Sequence, residues 1–200
     1  PCSSPGGALI PPADPLAAVR AQLAAVTGRW SQGMSLAEIR ADFSRYLADV
    51  GPRGAAMAEP HPVSGLGFDA AWIGSGPRPV LYWHGGGFQI GGIASHASLI
   101  ARLAKAADAR MLAFDYRLAP EHRFPAAADD AFAAYQALLV DAAPPHAVIG
   151  DSAGAALALL TVQRARDAGL PLPCAIVLIS PWLDLSMQGE SYRTRADQDI

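Results

Sequence analysis

A serine lies between two glycines at the start of a helix-like stretch of this 200-residue sequence. The segment Gly-Asp-Ser-Ala-Gly occupies positions 150–154, after an apolar run at 147–149 and before a helical pattern that extends to residue 166. Glycines two positions before and after Ser152 allow a strand to turn abruptly into a helix and leave the serine hydroxyl exposed. The first N–H groups of the helix then point to the place where an acyl-transfer reaction develops negative charge. The pattern predicts a nucleophile, although Gly and Ser are equally typical of an ordinary turn.

A second glycine-rich stretch, His-Gly-Gly-Gly-Phe at positions 84–88, follows the apolar run 80–83. Consecutive glycines expose backbone N–H groups with no side chain in the way, as an oxyanion site requires. The position three after Gly87 is Ile90, so the stretch fails the dinucleotide fingerprint, and it lacks the Gly-Lys-Ser/Thr of a phosphate loop. Taken alone, it fits a flexible loop better than a catalytic one. Its position relative to Ser152 changes this interpretation, because the glycine loop follows the third predicted strand and the serine the fifth.

Strands and helices alternate around these two stretches. Apolar runs and helical periodicities predict strands at 80–83, 111–116, 146–149 and 174–179, and helices at 97–107, 126–140 and 153–167. An antiparallel pair at a sheet edge is expected in 63–73, before a turn at 74–77. This alternation predicts an α/β fold with a mostly parallel sheet covered by helices on both faces. Ligands of such sheets bind at the carboxyl ends of the strands.

The first 50 residues precede any predicted strand. Residues 1–13 form a loose arm rich in Pro, Gly and Ser. Two helical patterns follow, one beginning at Asp14 and Pro15 and the other at the capping box formed by Ser35 and Glu38. We expect these helices either to cover the mouth of a site as a lid or to be a helical preface.

Composition and charge exclude several classes of protein. Apolar residues make up 52% and charged residues 16%, as in a packed globular protein. The net charge of −3 provides no basic face for nucleic acid, and Lys105 is the only lysine, so a lysine Schiff base or phosphate loop elsewhere is not expected. No apolar run is long enough to span a membrane, and we expect a soluble, cytoplasmic protein. Cys2 and Cys174 are expected to be free thiols.

Five ordered stretches carry a resemblance to a known family. They read HGGGF at 84–88, DYRLAPEH at 115–122, FPAA at 124–127, GDSAG at 150–154 and SPWLD at 180–184. Together they resemble the α/β-hydrolase fold enzymes of the hormone-sensitive-lipase-like family, which includes many bacterial carboxylesterases. The resemblance implies an α/β-hydrolase fold. It assigns residues 1–50 to an N-terminal arm and helical cap, and 51–200 to a core that lacks the last strands.

The resemblance also implies a chemistry. Ser152 would attack an ester carbonyl and form an acyl-enzyme, with no metal or cofactor. The N–H groups of Gly86, Gly87 and Ala153 would hold the oxyanion. The expected partner is a small-molecule ester with a small or medium acyl group.

Two residues are expected to line the substrate pocket. They are Phe88, beside the glycine loop, and Asp151, beside the serine. Both predictions rest only on the position of these residues next to the glycine loop and the serine in the sequence. The side chains that set acyl length are not identified from the sequence.

The histidines before the serine are expected to be structural. In this fold the catalytic partners follow the serine in the order Asp or Glu, then His, so His84 stands on the wrong side of Ser152. Its ring is expected to hydrogen-bond to backbone and to fix the glycine loop. His61, His96 and His146 are expected to lie at the surface or at strand ends.

A cluster of charged residues follows the predicted strand 111–116. We expect Asp115, Arg117 and Glu121 to form a structural ion-pair network that shapes the adjoining loop, rather than to act directly in catalysis. Asp129 and Asp130 are expected to be helix-surface or network residues.

Neither triad partner is present after the serine. In this fold the acid follows the seventh strand and the histidine the eighth, whereas no histidine follows His146 in this sequence. Asp184 and Asp197 have no histidine downstream. We expect the sequence to be a piece of a longer enzyme, because its sheet would otherwise end in an unpaired, uncovered edge. Two alternatives are an assembly completed by another chain and a hydrolase-like protein that binds a ligand without catalysis.

Overall fold

The computed structural model describes residues 15–30, 33–50, 60–65, 67–141 and 144–195. Strands in this part of the chain are β1 (His61–Val63), β2 (Ala70–Ile73), β3 (Arg78–Trp83), β4 (Ala109–Phe114), β5 (Ala147–Asp151) and β6 (Ala175–Ile179). Helices are α1 (Pro15–Trp30), α2 (Leu36–Val50), α3 (Ile93–Ala106), α4 (Ala126–Asp141), α5 (Ala153–Asp167) and α6 (Glu190–Thr194). None of these helices is long and apolar enough to cross a membrane. The predicted α/β alternation is confirmed.

The described strands form one mixed sheet in the order β1-β2-β4-β3-β5-β6. Strands β4, β3, β5 and β6 are parallel, and β1 and β2 are antiparallel at one edge. The expected antiparallel edge pair is therefore confirmed, but its connection lies within residues 64–69. The turn predicted at 74–77 instead joins β2 to β3. These two strands are not neighbours in the sheet, because β4 lies between them.

The two chemistry-bearing stretches leave the sheet side by side. β3 and β5 are neighbours, and Trp83 at the end of β3 lies opposite Gly150. The glycine loop follows β3 and Ser152 follows β5, so both begin at the carboxyl edge of the sheet. This is the third-strand and fifth-strand arrangement predicted from the sequence.

Alternating side chains of the central strands build a core on each face of the sheet. Leu81 and Trp83 of β3 face α4 and α5, whereas Val80 and Tyr82 face α3 and its buried Ile100. Burial of each such large side chain stabilises the fold by about 1.5–3 kcal/mol. Packing on both faces fixes the register of β3, because a slip of one residue would exchange its two sets of side chains.

The N-terminal helices pack outside the sheet layers, with α2 against α3. The predicted capping box is confirmed: the Ser35 N–H donates to Glu38 Oε2 at 2.7 Å, and the Glu38 N–H donates to Ser35 Oγ at 3.3 Å. Arg40 of α2 donates from Nε to the carbonyl of Gln89, just after the glycine loop, at 2.7 Å. The predicted cap residue Asp14 lies outside the described residues. The division of the chain at residue 50 stays a prediction.

Candidate active site

Ser152 occupies a sharp turn between β5 and α5. Its backbone has φ 52° and ψ −119°, a conformation that residues with a side chain rarely adopt. The Ser152 N–H donates to the carbonyl of Ile179 at 2.9 Å, and its carbonyl accepts the N–H of Trp182 at 3.1 Å. Both bonds come from the end of β6 and the loop after it. The strained turn is thus supported by the neighbouring strand, as strain in a folded protein requires.

The two glycines of the pentapeptide are required by close packing of backbone. A Cβ atom on Gly150 would lie 2.7 Å from the nitrogen of Ala155. A Cβ atom on Gly154 would lie 2.5 Å from the carbonyl oxygen of His84 and 2.6 Å from the carbonyl carbon of Trp83. The start of α5 therefore packs directly on the end of β3, at a distance that only glycine permits.

The glycine loop turns through left-handed backbone. Gly86, Gly87 and Phe88 have φ values of 117°, 59° and 62°. The N–H groups of Gln89 and Ile90 both donate to the carbonyl of Gly86 at 3.0 Å and close the turn. A Cβ atom on Gly86 would lie 2.7 Å from the carbonyl carbon of Ile90. Gly86 is therefore required for this turn, because no side chain fits against the Ile90 main chain.

Three N–H groups at the site have no acceptor within the described residues. They belong to Gly86, Gly87 and Ala153, the first residue of α5. An N–H group at the start of a helix has no partner within the helix and carries part of the positive end of the helix dipole. These N–H groups can donate hydrogen bonds to an oxygen atom on which negative charge develops.

Trp182 joins the glycine loop to the serine turn. Besides its bond to the Ser152 carbonyl, its ring lies 5.9 Å from that of Phe88 between centroids. A Cβ atom on Gly87 would lie 4.0 Å from the same indole ring. The sequence placed Trp182 in a matched motif, but its contact with both turns became visible only in the structure.

His84 is a buried structural residue. Its ring is stacked on Tyr116 at 4.2 Å between centroids, and its Nδ1 lies 2.7 Å from the carbonyl of Gly85. A carbonyl only accepts, so Nδ1 carries the proton and donates it. Burial lowers the pKa of His84 to about 4, so the ring is neutral at neutral pH. The predicted hydrogen bond from the ring to backbone is confirmed.

His96 is buried, and the prediction that it lies at the surface or at a strand end is wrong. The residue is 4% exposed, on the inner face of α3. This helix begins at Ile93 rather than at Ala97, so the first turn that carries His96 packs on the sheet. His61 and His146 are exposed, as predicted.

Asp151 lies beneath the glycine loop. Its Oδ1 accepts the Tyr82 hydroxyl at 2.6 Å and the Gly85 N–H at 3.0 Å, and its Oδ2 lies 3.6 Å from Nε2 of His96. Burial acts to raise the pKa of the Asp151 carboxyl, but the His96 ring and the two hydrogen bonds outweigh it and hold the pKa below its usual value. The predicted contact of Asp151 with substrate stays a prediction. Tyr82 was missed at the sequence level because it belongs to a buried apolar run.

The charged residues after β4 form separate pairs rather than one cluster. Arg117 pairs with Asp130 at 2.7 Å, Glu121 with Arg40 at 2.8 Å, and Asp115 accepts the Ile93 N–H at 2.7 Å. Burial raises the pKa of Asp115. Each pair fastens the loop to a different helix, so the structural role is as predicted but the connectivity is not.

An apolar cavity of about 320 Å³ lies between the glycine loop and α5. Its wall includes Phe88, predicted to line a pocket, together with Phe124, Leu157, Leu160 and Leu185. A larger cleft of about 630 Å³ lies at the β1–β2 edge, against Val63, Phe68, Ile93 and Asp115. Of these two cavities, the smaller one is the candidate substrate pocket, because it shares its wall with the glycine loop and with the helix that follows Ser152.

A serine on a strained strand-to-helix turn, next to a glycine-rich loop that follows a neighbouring parallel strand, is the geometry of a nucleophile elbow in the α/β-hydrolase fold. The family model of the alpha/beta hydrolase fold matches residues 80–200, and the chain belongs to this family. The structure is also similar to an esterase from the bacterial hormone-sensitive lipase family, with a TM-score of 0.78 and 34% identity over 90% of this chain and 63% of that one. An esterase/lipase from an uncultured bacterium gives a TM-score of 0.75 and 37% identity, covering 83% and 57% of the two chains.

The curated relatives of this chain include proteins named as an acetyl-hydrolase and an esterase. An acetyl-hydrolase of Streptomyces hygroscopicus is 50% identical over 125 residues, and an esterase of Acinetobacter venetianus is 39% identical over 127 residues. Each alignment covers 62% of this chain and 42% of the relative. The chain thus spans about two fifths of the length of these relatives.

Proposed function

We propose that this chain carries the nucleophile and the oxyanion hole of a carboxylic ester hydrolase. The observation that carries the proposal is the strained turn at Ser152, held directly beside a loop in which the N–H groups of Gly86 and Gly87 have no acceptor in the described part of the chain. A non-glycine residue at positive φ costs of order 1–3 kcal/mol and is concentrated at functional sites. The names of the relatives, esterase and acetyl-hydrolase, support ester hydrolysis as the reaction.

In the proposed reaction, the Ser152 Oγ attacks the carbonyl carbon of the ester. The carbonyl oxygen becomes an oxyanion that accepts the N–H groups of Gly86, Gly87 and Ala153. The tetrahedral intermediate collapses and releases the alcohol, which takes up a proton as it leaves. Water then attacks the acyl-enzyme, and the same donors hold the second oxyanion while the carboxylic acid leaves. Each donor contributes about 3 kcal/mol to stabilisation of the transition state.

The base that accepts the serine proton is assigned to no residue of this chain. In this fold the base is a histidine that follows the acid in the sequence, and no histidine follows Ser152 here. His84 is held by Gly85 and Tyr116 with its ring neutral, and its place in the fold is structural.

The proposed substrates are esters of small or medium acyl groups. The apolar cavity beside Phe88 accepts an aliphatic or aromatic group, and its volume of about 320 Å³ is at the lower end of the range for small-molecule sites. The Streptomyces hygroscopicus relative is named as an acetyl-hydrolase, and this name supports the smaller of the proposed acyl groups. Phe88 is proposed to contact the group that enters the cavity.

The test is labelling of the complete gene product with a fluorophosphonate, which forms a covalent bond with an activated serine. The wild type is expected to be labelled, and the Ser152→Ala variant is expected to lose both the label and hydrolysis of p-nitrophenyl acetate.

Ser180→Ala is the matched control. Ser180 lies at the carboxyl end of the neighbouring strand β6 and also has a positive φ, of 45°. Unlike Ser152, it is not followed directly by a helix, since the next helix, α6, begins at Glu190. This variant is expected to keep the label. If Ser152→Ala is labelled as strongly as the wild type, the nucleophile is another residue. A wild type that binds esters without being labelled or turning them over would be a binding protein on the same scaffold.

A further inference from the structure

One carboxylate joins the two turns of the candidate site. Asp151 ends β5, and its Oδ1 accepts the N–H of Gly85 at 3.0 Å and the hydroxyl of Tyr82 at 2.6 Å. Gly85 begins the glycine loop, and Tyr82 is fully buried in β3. The carboxylate therefore holds the start of the loop to the strand that leads into Ser152.

The second carboxylate oxygen faces His96 of α3, which contacts the end of the segment that joins the glycine loop to this helix. Asp151 Oδ2 lies 3.6 Å from Nε2 of His96, and Nδ1 of that ring lies 2.8 Å from Ser95 Oγ. The Ser95 hydroxyl in turn accepts the N–H of Gly92 and donates to its carbonyl, each at 2.9 Å. Gly92 precedes α3 and ends the segment 85–92, which runs from the glycine loop to this helix. The two oxygens of one side chain thus reach both ends of residues 85–92.

The electrostatics favour an ionised Asp151. Its side chain is 21% exposed, and burial acts to raise its pKa, yet the His96 ring and the hydrogen bonds lower that pKa below its usual value. Hydrogen bonds to an ionised acceptor are about twice as strong as those between neutral groups. The bond from the Gly85 N–H is therefore a strong tie for a loop of glycines, which have little conformational preference of their own.

The N–H groups of Gly86 and Gly87 lie between these two anchored ends. Neither has an acceptor in the described part of the chain, so their direction depends on how the loop is held. We propose that Asp151 is a positioning residue, whose carboxylate holds the glycine loop so that these N–H groups face the carbonyl attacked by Ser152. This role rests on the proposed function and differs from the substrate contact that the sequence suggested for Asp151.

Substitution of Asp151 tests the proposal in the complete gene product, with p-nitrophenyl acetate as substrate. Asp151→Ala removes both hydrogen bonds, and we expect kcat to fall by about 10- to 100-fold while KM stays within about threefold, because oxyanion donors act mainly in the transition state. Asp151→Asn keeps an acceptor for Gly85 and is expected to recover most of kcat. If Asp151 had only a structural role, its substitution would lower the melting temperature without lowering kcat at a nearly constant KM.

Asp167→Ala is the matched control, since Asp167 is an exposed acidic residue at the end of α5. It is expected to leave kcat and KM unchanged. Should Asp151→Ala fail to fold, the double variant Tyr82→Phe with Asp151→Leu removes the buried hydroxyl together with the carboxylate, and the same fall in kcat is expected.

Two results would overturn the positioning role. One is a folded Asp151→Ala, or a folded double variant, with kcat within about threefold of the wild type. The other is a folded Asp151→Asn as slow as Asp151→Ala, because hydrogen-bond acceptance would then not be the cause. Absence of labelling and turnover in the wild type would instead contradict the proposed function, so the two failures are distinguishable.

Discussion

Gly154→Ala tests whether the close approach of α5 to β3 sets the site. The added Cβ atom would lie 2.5 Å from the His84 carbonyl oxygen and 2.6 Å from the Trp83 carbonyl carbon. Favourable contacts of carbon require roughly 3.5 Å, so backbone must move by about 1 Å. The atoms in the way belong to main chain and cannot rotate aside. Overpacking of this kind costs about 1–3 kcal/mol, and we expect a loss of about 3 kcal/mol in the free energy of unfolding.

The same movement separates the serine turn from the glycine loop. Misplacement of reacting groups by about 1 Å costs on the order of 100-fold in rate, so kcat is expected to fall by about that factor under conditions where the variant is fully folded. Urea denaturation followed by circular dichroism measures the stability. Initial rates of p-nitrophenyl acetate hydrolysis by the complete gene product measure kcat.

Gly28→Ala provides the matched control for this prediction. It makes the same chemical change inside a helix, but a Cβ atom on Gly28 would have nothing within 4 Å. Ala is favoured over Gly in a helix by about 1 kcal/mol, so this variant is expected to be slightly more stable and equally active. If Gly154→Ala matches Gly28→Ala in both stability and kcat, the argument from backbone contact is wrong.

Three further predictions concern single contacts. Ser152→Gly is expected to abolish hydrolysis yet raise the free energy of unfolding by about 1 kcal/mol in urea denaturation, because glycine adopts φ 52° without strain; equal or lower stability would contradict the strain. Tyr135→Phe removes the hydroxyl that donates to the Pro171 carbonyl at 2.6 Å and is expected to lower that free energy by about 1 kcal/mol, whereas no loss would show the bond to be neutral. A hydrogen bond to Arg40 is the main reason that the pKa of Glu121 is lowered to about 2 in the folded protein. The pair therefore stabilises the fold fully at a pH above the unfolded pKa of about 4.3, and this stabilisation is lost as the pH falls through about 2. A double-mutant cycle of Arg40→Met and Glu121→Gln is therefore expected to give a coupling energy near neutral pH that vanishes near pH 2, and a coupling independent of pH would refute the assignment.

Much of the fold follows from short windows of sequence. The helix beginning at Ala153 and the capping box at Ser35 have the predicted positions, because turn residues and helical spacing act over a few positions. The start of a helix that follows a glycine-rich loop is not encoded as clearly by the local pattern. α3 begins at Ile93, four residues before the predicted start at Ala97, and this difference buries His96.

The sequence by itself determined the strand and helix order, the turn at Ser152 and the glycine loop after β3, since each depends on neighbouring residues. Only the tertiary structure decided what lies beneath them. Tyr82 and Asp151 are 69 positions apart, and Arg40 and Gln89 are 49 apart. Tyr82 and Asp151 meet because parallel crossovers place β3 between β4 and β5, and Arg40 meets Gln89 because α2 packs on α3. Contacts across crossovers depend on the whole chain path, which no local pattern encodes.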